Sequence, residues 1–199
     1  MRINYLVFLF FLIFPVITNS QGIVEPYLGY RMTGNGNLIS ESNGYTTQYQ
    51  YNGLLYGFRG GFTLIGFMGG LDYSNSKFNL ITKDTMSGVS TTANDPVTKR
   101  DLGLFGGFNF NIARVWGTLW LDSDINYNSG TNEGKELDGS GHGLGVGLSV
   151  IPLLAINLEY RHFQFDSYQN SGSDSKDGLG TNAFKVDEIL FSISIPLSF

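Results

Sequence analysis

After its first twenty residues the chain alternates apolar and polar positions, in segments of about ten residues separated by polar, Gly-, Asn- and Ser-rich stretches. No long window places apolar residues at helical spacing, so the pattern predicts strands throughout. The first strand covers Ile23–Met32, with Val24, Pro26, Leu28, Tyr30 and Met32 on one face and Glu25, Tyr27, Gly29 and Arg31 on the other. The second (Tyr51–Phe62) sets Leu54, Tyr56, Phe58 and Phe62 against Leu55, Gly57, Arg59 and Gly61, and the third (Ile65–Ser74) sets Phe67, Leu71 and Tyr73 against Met68, Gly70 and Asp72. The fourth covers Arg100–Asn111 and the fifth Arg114–Ser123. On the fifth, Trp116 and Trp120 share the face of Arg114 and Asp122, so its apolar side is ambiguous. The sixth (Gly141–Ile151), the seventh (Ala155–Phe165) and the eighth (Phe184–Phe199) complete the series.

Connections between these strands alternate. Short links fall around Thr63, Ala113 and Pro152, and long polar loops are expected over 33–50, 75–99, 124–140 and 166–183. An even number of strands with both ends on the short-turn rim lets the first strand pair with the last and removes open edges. The predicted fold is all-β: an eight-stranded antiparallel up-and-down barrel with short turns at one rim and long loops at the other.

Charge separates a barrel in lipid from one in water. Glu25, Arg31, Arg59, Asp72, Asp101, Arg114, Asp122, Glu159, Arg161 and Glu188 all lie opposite the bulky apolar face. A continuous charge-free apolar band on the other face fits lipid contact, with the charges inside. Eight strands leave room only for side chains, so these ions should pair. The expected lumen network joins Glu25, Arg59, Glu159 and Arg161, with Arg31 meeting Glu188 nearer the outer rim. Tyr30, Tyr51, Tyr73, Tyr160, Phe62, Phe110 and Phe199 are candidates for the aromatic girdles at the two membrane interfaces.

The N-terminus has the layout of a secretory leader: Arg2, an apolar run from Tyr5 to Ile17, then Thr18-Asn19-Ser20 before a cleavage after Ser20. The run is shorter than the roughly 20 residues a spanning helix needs. The expected organisation is therefore a cleaved leader over 1–20 and one barrel domain over 21–199. Removing the leader takes away Arg2 alone among the charges, so net charge passes from −5 to −5 − 1 = −6. That acidic balance argues against a nucleic-acid partner. With 27 Gly, 16 Phe and 11 Tyr against 15% charged residues, the composition suits alternating lipid and lumen faces. There is no Cys, which excludes disulfides, Cys-ligated metals and a lipid-anchored Cys.

Candidate chemistry is sparse. The two histidines are His142, near Ser140 and Asp138, and His162, followed by Gln164 and Asp166. A Ser–His–acid trio is defined by geometry rather than order. The strings Asp122–Asn128 and Asp174–Gly178 alternate oxygen ligands but lack calcium-loop spacing. No catalytic, cofactor-binding or metal-ligating residues are assigned.

The last twelve residues are the most specific stretch. Ile189, Phe191, Ile193, Ile195, Leu197 and Phe199 alternate with Leu190, Ser192, Ser194, Pro196 and Ser198, and the strand ends on the aromatic. This resembles the closing strand of bacterial outer-membrane β-barrels. With Glu25-Pro-Tyr-Leu-Gly-Tyr30 and Asn157-Leu-Glu-Tyr-Arg161, the mature chain is similar to the small barrel class that includes the OmpA barrel domain and the opacity proteins. The resemblance implies an outer-membrane location in a Gram-negative cell. It also implies Phe191, Ile193, Ile195, Leu197 and Phe199 as the signal for the barrel-assembly machinery, and contact with outer-membrane lipid and lipopolysaccharide as a monomer. The class is a scaffold for several functions. The leading expectation is a non-enzymatic barrel presenting loops for a structural or adhesive role. The alternatives are a narrow channel for small or apolar solutes and a lipid A-modifying enzyme.

Overall fold

The computed structural model describes residues 21–40, 45–86, 89–110, 112–130, 132–151, 153–170, 176–179 and 183–199. The leader expected over 1–20, and the Asp174 end of one oxygen-ligand string, lie outside the described residues. The strands are β1 (Gln21–Ser40), β2 (Tyr45–Leu64), β3 (Phe67–Met86), β4 (Val89–Asn109), β5 (Ala113–Tyr127), β6 (Glu136–Ile151), β7 (Leu154–Gln169), β8 (Lys176–Gly178), β9 (Phe184–Ser194) and β10 (Leu197–Ser198). Neighbours pair antiparallel in sequence order from β1 to β7. β9 then bridges β7 and β1, and β10 continues it along β1. The result is a closed ring of eight staves, the last made of β9 and β10.

The break in that last stave has a local cause. Tyr27 pairs with Ser194 and Val24 with Leu197, so the register is unbroken while the ladder pauses at Pro196, which has no N–H to donate. Ile195 N–H still donates to Pro26 C=O at 3.0 Å. The terminal residue is tied to β1 by a reciprocal pair: Gly22 N–H donates to Phe199 C=O at 2.9 Å and Phe199 N–H to Gly22 C=O at 3.1 Å. Ser192 and Ser194 are buried, whereas Ser198 is exposed: β7 pairs with this stave only as far as Ser194, so beyond it the stave has β1 alone as a neighbour.

The outward face carries the apolar belt. Leu28, Leu54, Tyr56, Phe58, Leu104, Leu119, Leu144, Val146, Leu158 and Ile193 are all exposed, a surface that only lipid accommodates. Strand five resolves cleanly: Val115, Leu119 and Leu121 face out, while Trp116 and Trp120 are 3% and 1% exposed in the lumen. A one-residue bulge at Leu121 then resets the register, so Asp122, expected inside, faces outward. Among the girdle candidates, Tyr30, Tyr160, Phe62, Phe110 and Phe199 are exposed, but Tyr51 is 2% exposed and belongs to the interior.

Two of the polar stretches that read as loops, 33–50 and 75–99, are largely strand. β1 and β2 stay paired out to Ser40 and Tyr45, and β3 and β4 out to Met86 and Val89. Alternation continues through them with its chemistry inverted. On β2, Gln48 and Gln50 face out while Thr47 and Tyr51 are buried; on β3, Lys77 faces the surface while Phe78 and Leu80 are buried. Beyond the belt the solvent is water, so the apolar side must turn inward. At the opposite rim β2 and β3 join through Ile65-Gly66, both at positive φ (49° and 84°), the two-residue turn whose twist matches a hairpin.

Candidate functional site: the lumen

The inward face of the belt region holds five buried cations, Arg31, Arg59, Lys99, Arg114 and Arg161, and five buried anions, Glu25, Asp72, Asp101, Glu159 and Glu188. The two sets balance. An uncompensated charge there would face low dielectric with no water to solvate it. Period-two alternation aims each of these side chains inward, and the small residues beside them, Gly57, Gly143, Gly145 and Gly147, leave the room they need. A Cβ on Gly145 would lie 2.3 Å from the Trp116 ring.

The ions form a ladder along the axis. At the short-turn end Arg114 Nη1 donates to Glu25 Oε2 at 2.6 Å, its Nη2 donates to Glu25 Oε1, and Nη2 also reaches Asn157 Oδ1 at 2.6 Å. Glu25 then lies 3.6 Å from Arg59. Arg59 is the hub: Nε donates to Asp72 at 2.8 Å and Nη2 to Glu159 at 2.5 Å. Its guanidinium also sits between the rings of Trp116 and Tyr27, at 4.5 and 4.8 Å. Tyr27 Oη donates to Asp72 at 2.7 Å. Glu159 passes the chain to Arg161 at 2.9 Å, and Arg161 lies 3.9 Å from Asp101.

The upper half continues the pattern. Asp101 accepts from Ser123 at 2.6 Å and Ser74 at 3.0 Å and pairs with Lys99 at 2.9 Å. Lys99 bridges to Glu188 at 3.1 Å, and Tyr51 Oη donates to the same carboxylate at 2.5 Å. Arg31 closes the ladder 3.0 Å from Glu188, a charge contact rather than an aligned hydrogen bond. Above this level the lumen changes character. Tyr51, Phe78, Leu80, Val97, Trp120, Ile125, Phe163, Phe165, Phe184 and Val186 form one packed cluster. Its rings lie over the last ions, Lys99 Nζ being 3.3 Å from the Phe163 centroid and Arg31 4.9 Å from that of Phe78.

The structure thus brings Glu25, Arg59, Glu159 and Arg161 together and joins Arg31 to Glu188. Sequence reasoning had placed Asp72, Asp101 and Arg114 on the lumen side without giving them partners. It missed Lys99, which read as part of a loop, and the hydroxyls of Tyr27 and Tyr51. The signal for both tyrosines was their parity with Arg59 and Arg31. The terminal-strand residues Phe191, Ile193, Ile195, Leu197 and Phe199 all face outward, at 42 to 79% exposure. His142 and Ser140 lie exposed on the outer wall of β6, away from the lumen. Among the described residues no group of three or more His, Asp or Glu is placed to hold a metal ion.

No family model matches the chain, and no curated protein does. Solved structures do. The outer membrane protein OprG from Pseudomonas aeruginosa aligns at 13% identity over 89% of this chain and 96% of its own, with a TM-score of 0.52. Ail, the attachment invasion locus protein of Yersinia pestis, solved in complex with the heparin analogue sucrose octasulfate, aligns at 15% identity over 89% of this chain and 99% of its own, with a TM-score of 0.50. At such identities the likeness is one of fold: the chain has the architecture of the small eight-stranded outer-membrane β-barrels.

Proposed function

We propose that the protein is a monomeric, integral outer-membrane barrel whose filled lumen makes it a rigid scaffold, presenting the outer tips of its hairpins in a structural or adhesive role. The observation that carries this reading is the lumen itself. A balanced ionic ladder crosses the belt and an apolar aromatic cluster sits above it, so an ion entering from outside would have to cross packed rings and then displace paired charges. The polar outward faces of the strand extensions, such as Gln48 and Gln50 on β2, give the tips a water-facing surface. In this reading residues 1–20 direct export, the assembly machinery reads the terminal strand, and outer-membrane lipid and lipopolysaccharide surround the belt. Single-channel recording in planar bilayers tests it. The protein should show no porin-sized conductance, and Arg59→Ala should show none either, because the aromatic cluster remains. A large, stable current from the unmodified protein would overturn the scaffold reading in favour of a channel.

A further inference from the structure

The chain has two histidines, and the fold places them opposite each other. His142 on β6 is the register partner of His162 on β7, and His162 is the partner of Asp187 on β9. The three make one row across adjacent strands on the outer wall. Leu144, Tyr160 and Ile189 lie just below it, at the top of the belt, and Ser140, Gln164 and Lys185 just above. Directly opposed outward residues have Cβ atoms about 5 Å apart, the spacing at which two imidazoles can share an ion.

The details favour that use. The His162 and His142 ring centroids are 5.2 Å apart, the planes tilted by 44°. Two imidazoles on one tetrahedral ion, each with a metal–nitrogen bond of about 2.1 Å, have centroids roughly 5 Å apart. His162 Nδ1 lies 2.8 Å from Asp187 Oδ1, and Tyr160 Oη donates to the same oxygen at 2.5 Å. A carboxylate on one ring nitrogen fixes the tautomer and leaves the other free, which is the usual support behind a metal-binding histidine. Asp187 occupies Nδ1 of His162, which leaves Nε2 as its coordinating nitrogen. The His162 side chain is 26% exposed and that of Asp187 56%, so the row is open to solvent. A third protein ligand is not placed to join them, which leaves the remaining coordination positions to water.

We propose that His142 and His162 form a two-histidine site for a borderline divalent transition-metal cation, Cu²⁺, Zn²⁺ or Ni²⁺, on the outer surface at headgroup level. Asp187, held by Tyr160, positions His162. Imidazole favours these ions over Ca²⁺ and Mg²⁺. Bound metal would clip β6 to β7 above the belt.

The test uses untagged barrel folded in detergent. Zn²⁺ binding is followed by calorimetry, and Cu²⁺ by electron paramagnetic resonance. The unmodified protein should bind one ion, and the Cu²⁺ spectrum should show coupling to two imidazole nitrogens. His142→Asn and His162→Asn should each abolish that signature while retaining heat-modifiable gel mobility. Asp187→Asn, which keeps both ligands, should weaken binding by about 10- to 100-fold. Asp124→Asn, in the group of Asp122 and Asp124 on β5 with Glu136 and Asp138 on β6, should change nothing and serves to exclude those carboxylates as the site. The proposal is overturned if the histidine variants bind as the parent does, if the parent binds no ion, or if Asp124→Asn removes the binding. An Asp187→Asn protein with parental affinity would overturn the positioning role.

Discussion

Replacing Arg59 with alanine removes the hub of the lumen ladder. Of its carboxylate neighbours, Glu25 retains Arg114 and Glu159 retains Arg161. Asp72 retains only the Tyr27 hydroxyl, at 2.7 Å, and is fully buried. The variant therefore leaves one buried carboxylate with no cation in direct contact, Arg161 acting on it only at longer range, and strips the Trp116 and Tyr27 rings of the guanidinium between them. Breaking a buried pair by removing one partner costs about 3–5 kcal/mol, and that loss is expected here. Urea titration in detergent or lipid vesicles measures it, with emission from Trp116 and Trp120, both inside the lumen, reporting unfolding. Adding Asp72→Asn removes the orphaned charge, so the double variant should be more stable than the sum of the two single losses, by on the order of 0.5–3 kcal/mol. Arg100→Ala is the contrast. That arginine pairs with Asp124 at 3.1 Å but is half exposed, and its loss should cost less than about 1 kcal/mol. Equal losses for Arg59→Ala and Arg100→Ala would refute the ladder as a coupled, desolvated unit.

Other outcomes follow from the same geometry. Gly145→Ala should destabilise by about 1–3 kcal/mol in the same titration, since its Cβ would meet the Trp116 ring, whereas Gly60→Ala, whose Cβ meets nothing within 4 Å, should be neutral or stabilising. Ile65→Asn should raise stability by about 1 kcal/mol, because a β-branched residue at φ 49° is strained and Asn-Gly suits this turn; an unchanged midpoint would count against strain there. Deleting Phe199 should lower the yield of assembled barrel in cells far more than the unfolding midpoint of protein refolded in vitro, as its ring is 79% exposed and packs little; normal insertion of the truncated chain would remove the terminal strand's signalling role.

The belt was legible in the sequence because lipid and lumen demand opposite chemistry. Nine of the ten charges assigned to the inner face lie there, so lipid contact, closure and the inward positions of Glu25, Arg59 and Glu159 could all be read directly. The outer extensions were not. On β2, parity is unbroken from Tyr51 to Arg59, but above the belt water replaces lipid outside, and Gln48 and Gln50 then look like loop residues. For the same reason the aromatic ring of Tyr51 points to a girdle position when read from the sequence, whereas the residue is buried. Its face is fixed by Arg59 eight positions on, not by its aromatic ring. Bulges were the other loss. A single extra residue at Leu121 turns Asp122 outward, and another near Met32 shifts the register between Arg31 and Gly34, and no period-two rule locates an inserted residue. The pairing of His142 with His162 depends on the β6–β7 register, which only the closed barrel fixes.

The lipid-facing belt is what makes this barrel a membrane protein. The chain has no cysteine, so single cysteines can be spin-labelled cleanly, one at Leu158 on the belt and one at Gln164 above it, both outward on β7. Collision rates in reconstituted bilayers should show Leu158 accessible to oxygen and shielded from a water-soluble nickel complex, and Gln164 the reverse. A label at Leu158 that met the nickel complex as freely as one at Gln164 would contradict the membrane-spanning barrel.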